Sequence, residues 1–290
     1  MQLYKCSLCK RQFRAGREVT AETLWEEYLT GKQTVSALAR RYGTSESTIK
    51  RRLATIAGGW EQPKISGGGF VHLDATYWGR NWGILAGVED ATGQVLYLAF
   101  IAHEKVSDYR DAVTSIEGRG YAIGGLIIDG MPSLFREFSR YPIQMCQFHM
   151  IQITRRYLKK NPRLRVMREL KDVVATQTYS TESEFLSQYN AWKTRWRDTI
   201  NKQTESRRTG KRHYTHKRLR TCVNSIEFYL PYLFTYQKPD NTGMPNTNNK
   251  MEGVFTALKN STRVHSGMPD ENRKRFISGF FLAWNGIEHV

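Results

Sequence analysis

Gly124-Gly-Leu-Ile-Ile-Asp129-Gly130 is the stretch that decides how this chain folds. Its apolar run, residues 126–128, has the length and β-branching of a strand buried on both faces. Because a charged group is costly inside a core, we expect Asp129 to end the strand and face a cleft. Two other stretches carry carboxylates that could join it there: His72-Leu-Asp74-Ala-Thr and Thr247-Asn-Asn-Lys-Met-Glu252-Gly.

Strand and helix patterns surround this stretch in a defined order. The periodicity predicts strands at 70–77, 81–89 and 95–102, a helix from 107 to 118, the central strand, a helix near 132 and a short strand at 143–148. Three strands, helix, strand, helix, strand is the order of the RNase H-like fold, whose first and fourth strands are parallel neighbours. The sequence therefore predicts an α/β fold with a mixed five-stranded sheet and flanking helices, with Asp74 beside Asp129.

The N-terminal segment, residues 1–15, carries two cysteines with the spacing of one zinc-ribbon knuckle. Cys6 and Cys9 can supply half of a tetrahedral Zn²⁺ shell. The other half is missing, since no Cys or His lies upstream and the next histidine is His72. Either the first knuckle is lost or the site is degenerate, so we do not expect this chain alone to hold Zn²⁺.

Residues 16–56 have the pattern of a helix-turn-helix. Ala39 is small where two helices must cross, Gly43 suits the positive φ of a turn, and Ser45 can cap the next helix. That helix ends in a run of cations: Lys50, Arg51 and Arg52. The pattern resembles a DNA-binding helix-turn-helix with its second helix in the major groove. An ordinary three-helix packing unit is the alternative, and the cations favour DNA binding.

Changes in composition divide the rest of the chain. Residues 57–69 are rich in glycine and are interpreted as a linker. Residues 70–150 form the first part of the predicted core, and residues 151–240 have helical spacing with no convincing strand, which predicts an all-α insertion. Residues 241–290 form the second part of the core, with the helix that carries Glu252 and a final helix expected to cover the sheet.

The chain is strongly basic, with 44 Lys and Arg against 27 Asp and Glu and a formal charge of +17. Such a surplus indicates a polyanionic partner, with nucleic acid as the first candidate; a merely basic surface is the alternative. One strongly basic run, residues 207–220, contains Arg207, Arg208, Lys211, Arg212, Lys217 and Arg218. A solvated charged face is the usual meaning of such a run, but contact with phosphates is at least as well supported here.

The sequence also bears on location. No apolar run approaches the roughly 18 residues that span a bilayer, and the N-terminus lacks the apolar segment of a secretory signal. The four cysteines do not form a disulfide-like pattern. We therefore expect a cytoplasmic, nucleoid-associated protein with no membrane partner.

A helix is predicted from Thr247 or Asn248 onwards, and Glu252 lies on one of its stripes. The stripe continues at helical spacing through Thr256, Lys259 and Arg263. A carboxylate among cations and small polar groups suits presentation to a phosphate backbone. A surface stripe of salt bridges is the alternative, and spacing alone would favour it.

Asp74, Asp129 and Glu252 would together make a three-carboxylate site. Mg²⁺, or Mn²⁺ in its place, prefers oxygen ligands of this kind. Two such ions about 3.5–4 Å apart can activate the attacking oxygen and stabilise the leaving one in a displacement at phosphorus. The predicted chemistry is hydrolysis of a phosphodiester bond in DNA, followed by joining of the 3′-hydroxyl to another strand.

Four blocks of the sequence carry a resemblance to a known family. They are His-Leu-Asp74-Ala-Thr-Tyr, Ile-Ile-Asp129-Gly, Cys146-Gln-Phe-His149 and the segment 247–267 with its Asn-Asn-x2-Glu-Gly core. They resemble the signature of DDE transposases, and the chain is similar to the Mutator-like group of bacterial insertion-sequence transposases. The resemblance implies an RNase H-like core, an all-helical insertion before the Glu, divalent metal, double-stranded DNA ends as substrate, and at least a dimer on DNA.

Several residues are expected to support this site. Cys146 and His149 are too few for a zinc site, and we assign them a structural or positioning role beside the metal, along with Asn248 and Asn249. Lys259, Arg263 and His265 are candidates for contact with DNA phosphates; for Arg263 and His265, capping contacts are the alternative.

Two other functions compete with an active transposase. One is a DNA-binding regulator derived from such an enzyme, with carboxylates that are retained but unused. The other is an RNase H-like nuclease that cuts particular DNA structures without joining ends. The helix-turn-helix favours the transposase, because a structure-specific nuclease has less need to read sequence.

Overall fold

The computed structural model of the chain describes residues 3–5, 7–10, 12–14, 19–56, 59–79 and 81–286. The described residues form a mixed α/β protein built on a five-stranded mixed sheet with flanking helices. They divide into two compact units, a small unit of Met1–Glu61 with Thr256–Val290, and a sheet unit of Gln62–Phe255. Among the described residues, no helix combines the length and the apolar character needed to cross a bilayer.

The small unit contains a two-stranded antiparallel sheet and several helices. Its elements are β1 (Leu3–Lys5), β2 (Gln12–Arg14), α1 (Ala21–Leu29), α2 (Val35–Arg41), α3 (Glu46–Leu53) and α12 (Asp270–Trp284). Each of the first three helices begins at a hydroxyl cap, because Thr20, Thr34 and Ser45 accept the backbone N–H three residues on. Gly43 has a φ of 60°, as the turn between α2 and α3 requires. The predicted helices and turn are therefore confirmed.

The core of the small unit includes a residue that the sequence assigned elsewhere. Phe276 of α12 is fully buried in one cluster with Leu24, Trp25 and Tyr28 of α1. The prediction that residues 241–290 belong wholly to the second part of the sheet core is therefore wrong for this part of α12. The apolar spacing of α12 identified a buried face but could not specify which core buries it.

The sheet unit contains the remaining strands and most of the helices. The strands are β3 (Gly68–Trp78), β4 (Trp82–Glu89), β5 (Val95–Ile101), β6 (Ala122–Ile128), β7 (Ile143–Met145), β8 (Gln203–Glu205) and β9 (Arg212–Tyr214). The helices are α4 (Val106–Gly118), α5 (Pro132–Glu137), α6 (Gln147–Leu158), α7 (Arg165–Thr176), α8 (Glu182–Arg195), α9 (Arg197–Asn201) and α10 (Lys217–Leu233), with 3₁₀ turns at Thr235–Gln237 and Pro239–Asn241. The helix α11 (Asn249–Val264) begins in the sheet unit and ends in the small unit.

The five-stranded sheet has the order β5-β4-β3-β6-β7. β3, β4 and β5 pair antiparallel, whereas β6 and β7 are parallel to β3. Crossover helices α4 and α5 connect the parallel strands, as a parallel ladder requires. Strands and helices share one core, to which Leu73 of β3, Ile128 of β6, Ile116 of α4 and Leu170 of α7 contribute.

Two sequence-based boundaries are wrong. The linker predicted at 57–69 ends earlier, because Gly68 and Gly69 begin β3 and pair with β6. A Cβ on Gly68 would lie 2.5 Å from the Ala122 carbonyl oxygen, so glycine here permits close strand pairing. The strand predicted at 143–148 stops at Met145, and α6 begins at Gln147 with Cys146 as its N-cap residue.

The predicted all-α insertion contains a short β-hairpin. β8 and β9 pair antiparallel, and Ser206 and Lys211 close the turn through a 3.0 Å N–H···O hydrogen bond. Gly210 has a φ of 65°, which an L side chain rarely adopts. Three-residue strands are too short to show an alternating pattern within a charged run, so periodicity could not reveal them.

Candidate active site

Asp74 and Asp129 lie side by side at one edge of the pairing between β3 and β6. Leu73 pairs with Ile128 at the last position of the parallel ladder. The next residue on each chain is Asp74 or Asp129, and neighbouring strands are separated by about 4.8 Å. The prediction that strand order would bring these two carboxylates together is supported by this register.

The two carboxylates repel each other in a partly buried setting. Burial and the negative charge of Asp129 raise the pKa of Asp74 well above its usual value, and the charge of Glu104 makes a smaller contribution in the same direction. The Ala75 backbone N–H, which donates to Asp74 Oδ1 at 2.7 Å, and the charge of His149 act in the opposite direction. A site that concentrates negative charge in this way favours a bound cation.

His149 lies on the first turn of α6 and forms an ion pair with Asp129. Its Nδ1 is 2.8 Å from Asp129 Oδ1. Burial alone would lower the pKa of His149, but hydrogen bonds to Asp129 and Cys146 and the negative charge of Asp129 raise it to about 11. The contact with Asp129 therefore favours the charged imidazole, which compensates part of the acidic pair.

Asn248, immediately before α11, is held by two other segments of the sheet unit. It is fully buried, and its Oδ1 lies 2.7 Å from Nδ1 of His72, two residues before Asp74 on β3. Its backbone N–H donates to Cys146 Sγ at 3.2 Å. The beginning of α11 is thus tied both to the strand of Asp74 and to the helix of His149. Cys146 therefore serves as an acceptor for backbone N–H.

Glu252 lies on the first turn of α11 and is half-buried. Its backbone N–H donates to Asn248 O at 3.0 Å. Within the described residues, no three His, Cys, Asp or Glu side chains are grouped so that they could hold a metal ion. The structure therefore brings Asp74 and Asp129 together, but it does not add Glu252 to them as a metal-holding group.

Sequence reasoning missed Glu104, which lies between β5 and α4. It is half-buried, it accepts a hydrogen bond from the buried Tyr109 hydroxyl, and its charge acts on Asp74. In the sequence, Glu104 is a charged residue that closely follows β5, a strand that ends in the same region of the sheet as the two aspartates. The short segment His103-Glu-Lys reads as an ordinary polar loop, so this signal was weak.

The predicted DNA-binding residues differ in exposure. Lys50, Arg51, Lys259 and Arg263 are exposed, as is Asn249. Arg52 is only partly exposed and donates to Val19 O at 2.9 Å. The assignment of His265 to phosphate contact is contradicted by its burial: it is 8% exposed, its Nε2 lies 3.1 Å from Tyr28 O, and its ring packs on Phe276. Burial lowers the pKa of His265, which favours the neutral ring.

Of the two cysteines of the predicted zinc knuckle, only Cys9 lies among the described residues. Cys6 lies outside the described residues, and Cys9 is exposed in the turn between β1 and β2. The expectation about Zn²⁺ therefore stays a prediction.

The β8–β9 hairpin, residues 203–214, presents a cluster of exposed cations and is called the basic hairpin below. Its exposed cations are Arg207, Arg208, Lys211 and Arg212, and among the described residues none of the four is within 4.0 Å of a carboxylate oxygen. Its base is fixed, because Thr215 N–H donates to Lys202 O at 2.8 Å and the Arg220 guanidinium lies over the Tyr214 ring at 5.2 Å. Lys217 and Arg218 are exposed at the start of α10.

The acidic pair fits a divalent cation in its donor chemistry. Mg²⁺ and Mn²⁺ are usually bound by one or two carboxylates with waters and substrate phosphate oxygens completing the shell. Asp74 and Asp129 supply such carboxylates, and a cation between them would relieve the repulsion that raises the pKa of Asp74.

No protein-family model matches this chain, and no curated protein matches it at a significant level.

Proposed function

We propose that this protein is a DDE transposase with an RNase H-like core, which cuts DNA at the ends of a mobile element and joins the 3′-hydroxyl ends to target DNA. The observation that carries the proposal is the register of β3 and β6, which sets Asp74 beside Asp129 at the end of two parallel strands. Strand order supports the RNase H-like assignment, since the first strand lies between the second and fourth.

Asp74 and Asp129 would hold Mg²⁺ or Mn²⁺, with Glu252 as the proposed third carboxylate. When bound, the metal supplies activation of the attacking oxygen and stabilisation of the leaving oxygen. The protein's own part is electrostatic and geometric. His149 would orient Asp129 through their 2.8 Å contact, and the contacts of Asn248 with His72 and Cys146 hold the start of the helix that carries Glu252.

DNA binding would use two separate basic surfaces. In the small unit, α3 ends in Lys50, Arg51 and Arg52, and we assign α2 and α3 to a helix-turn-helix that reads the element's ends. In the sheet unit, the exposed cations of the basic hairpin suit phosphates of duplex DNA, because none of them is neutralised by a carboxylate within the described residues. Two DNA ends brought together would require at least two copies of the chain.

The test is an in vitro cleavage and joining assay with Mg²⁺ or Mn²⁺. The substrate is DNA that flanks the coding sequence on both sides, since the ends of an insertion sequence lie outside its gene. Wild type is compared with Asp74→Asn, Asp129→Asn and Glu252→Gln, with Asp172→Asn on the exposed face of α7 as the matched control. We expect cleavage and joining by wild type and the control, and neither by the three site variants.

A DNA-binding regulator is the second candidate, because Glu252 does not join the acidic pair in a metal-holding group. That candidate predicts specific binding of the flanking DNA with no cleavage under any metal condition. Cleavage without joining would instead identify a nuclease.

A further inference from the structure

His72 is a fully buried polar side chain on the strand of Asp74. Residues i and i+2 of a strand point to the same face, so His72 and Asp74 share one face of β3. The partner of His72 in the ladder is Ile127, which likewise shares a face with Asp129. A side chain that is hydrogen-bonded to His72 therefore lies over the face of the sheet that carries Asp74 and Asp129.

The ring of His72 is held from both sides. Its Nε2 lies 2.9 Å from Oδ1 of Asp90, in the turn between β4 and β5. The Asp90 backbone N–H donates to Phe70 O at 2.9 Å, which fixes that turn against β3. Because the Asp90 carboxylate accepts, Nε2 carries the hydrogen and Nδ1 is an acceptor. The Asn248 amide therefore bonds to Nδ1 through its Nδ2–H, which replaces Oδ1 at the position 2.7 Å away and otherwise has no hydrogen-bond partner among the described residues.

The position of Asn248 determines where Glu252 can go. The two residues are one helical turn apart, which is a rise of about 6 Å at 1.5 Å per residue. His72 and Asp74 are two strand residues apart, which is about 6.6 Å. Since Asn248 contacts His72, the start of α11 is fixed beside β3, and Glu252 lies one helical turn beyond that contact, at a distance along the helix similar to the offset from His72 to Asp74. In the described residues Glu252 is not yet grouped with the two aspartates.

We propose that His72 is a positioning residue, which acts through Asn248 to hold the start of α11 and so brings Glu252 to the metal at Asp74 and Asp129. The inference rests on the proposed function. Asp90 contributes to the same positioning, because its carboxylate orients the ring of His72. Cys146 holds Asn248 at a second point, where its sulfur accepts the Asn248 backbone N–H. His72 itself would touch neither metal nor DNA.

A purely structural role is the competing explanation, and the binding of Mn²⁺ alone separates the two. Free Mn²⁺ is measured by electron paramagnetic resonance during titration of wild type, His72→Ala, Glu252→Gln and the double variant. Loss of a group that orients a metal ligand typically weakens metal binding 10–100-fold. We expect His72→Ala and Glu252→Gln each to weaken Mn²⁺ binding by about that factor. The double variant should bind no more weakly than Glu252→Gln, because both changes remove one ligand.

Two further variants keep this experiment decisive. Trp192→Phe removes a different buried hydrogen bond of the sheet unit, from Nε1 to Val166 O, and should leave Mn²⁺ binding unchanged. If His72→Ala does not fold, Asp90→Ala decides the question, since that side chain is 23% exposed and its loss frees the ring of His72. Asp90→Ala should weaken Mn²⁺ binding in the same direction as His72→Ala, though less.

The outcomes distinguish the inference from the proposed function. If Asp74→Asn and Asp129→Asn abolish Mn²⁺ binding but the His72 and Asp90 variants bind like wild type, positioning by His72 is refuted and the metal site stands. Additive losses in the double variant would likewise refute action through Glu252. If wild type binds no Mn²⁺, or Asp74→Asn and Asp129→Asn bind as wild type does, the metal site fails and the inference fails with it.

Discussion

Replacing Asp74 with asparagine should abolish catalysis and yet stabilise the metal-free protein. Asparagine keeps the shape of the side chain and the acceptor for the Ala75 N–H, but removes the charge that burial and Asp129 oppose. A buried charged group without full compensation costs more than the roughly 1–3 kcal/mol of a neutral polar group, and His149 offsets part of that cost for Asp74. We therefore expect a gain of about 1–3 kcal/mol, or roughly 2–12 °C in the melting temperature for a domain of this size.

The pH dependence of the stability of the protein tests independently whether loss of the Asp74 charge is stabilising. The folded-state pKa of Asp74 lies above its ordinary value of 3.8, so the folded protein binds the proton more tightly than the unfolded chain. Stability of wild type should therefore fall as the pH rises from 3.8 through the raised pKa. Asp74→Asn should lack this loss, and the difference between the two proteins should be largest above the raised pKa.

Urea unfolding followed by tryptophan fluorescence measures both the stability gain of Asp74→Asn and its dependence on pH. The measurement is made with and without Mg²⁺. A ligand at one hundred times its dissociation constant stabilises by about 2.7 kcal/mol. Mg²⁺ should thus stabilise wild type but not Asp74→Asn, and Asp172→Asn should behave as wild type. The reasoning is refuted if Asp74→Asn is destabilised like an ordinary buried variant, or if Mg²⁺ stabilises it as much as wild type.

Three further predictions test other parts of the account. Glu252→Gln should abolish DNA cleavage, whereas Glu104→Gln should retain it, as a supercoiled-plasmid nicking assay would measure; the reverse result would make Glu104 the third carboxylate. Alanine at the four exposed cations of the basic hairpin should reduce the slope of log binding constant against log salt by up to about 3.6 in filter-binding titrations. The matched control removes four exposed cations that are already paired with carboxylates: Arg110, Arg140, Arg165 and Lys193. Equal slopes in the two quadruple variants would remove the hairpin from the DNA interface. His265→Ala should lower stability without changing that slope, and a reduced slope would restore its assignment to DNA contact.

The sheet and the acidic pair could be predicted from sequence because their signals are local. The apolar run at 126–128 ends in a carboxylate, and the alternation around residue 74 marks a strand. The order of strands and helices matched that of the RNase H-like fold, in which the first and fourth strands are neighbours, and this match predicted the two aspartates on neighbouring strands. The cap at Ser45 could also be predicted, because its side chain bonds a backbone N–H only three residues along the chain.

The parts that sequence could not give depend on contacts between distant segments. His72 occupies a polar position in an alternating strand, and only its partners Asp90 and Asn248 show why it is buried. His265 looked available for phosphate contact until its packing on Tyr28 was known. Likewise, Phe276 has the spacing of a buried helix face, but spacing does not say which core receives it.

The most direct test of the central claim is a crystal structure grown with Mn²⁺, with anomalous scattering used to locate the metal. The account predicts Mn²⁺ bound between carboxylate oxygens of Asp74 and Asp129, with a Glu252 oxygen in the coordination shell of one ion. Mn²⁺ found away from the two aspartates, or a shell completed by Glu104 while Glu252 remains outside it, would contradict the account.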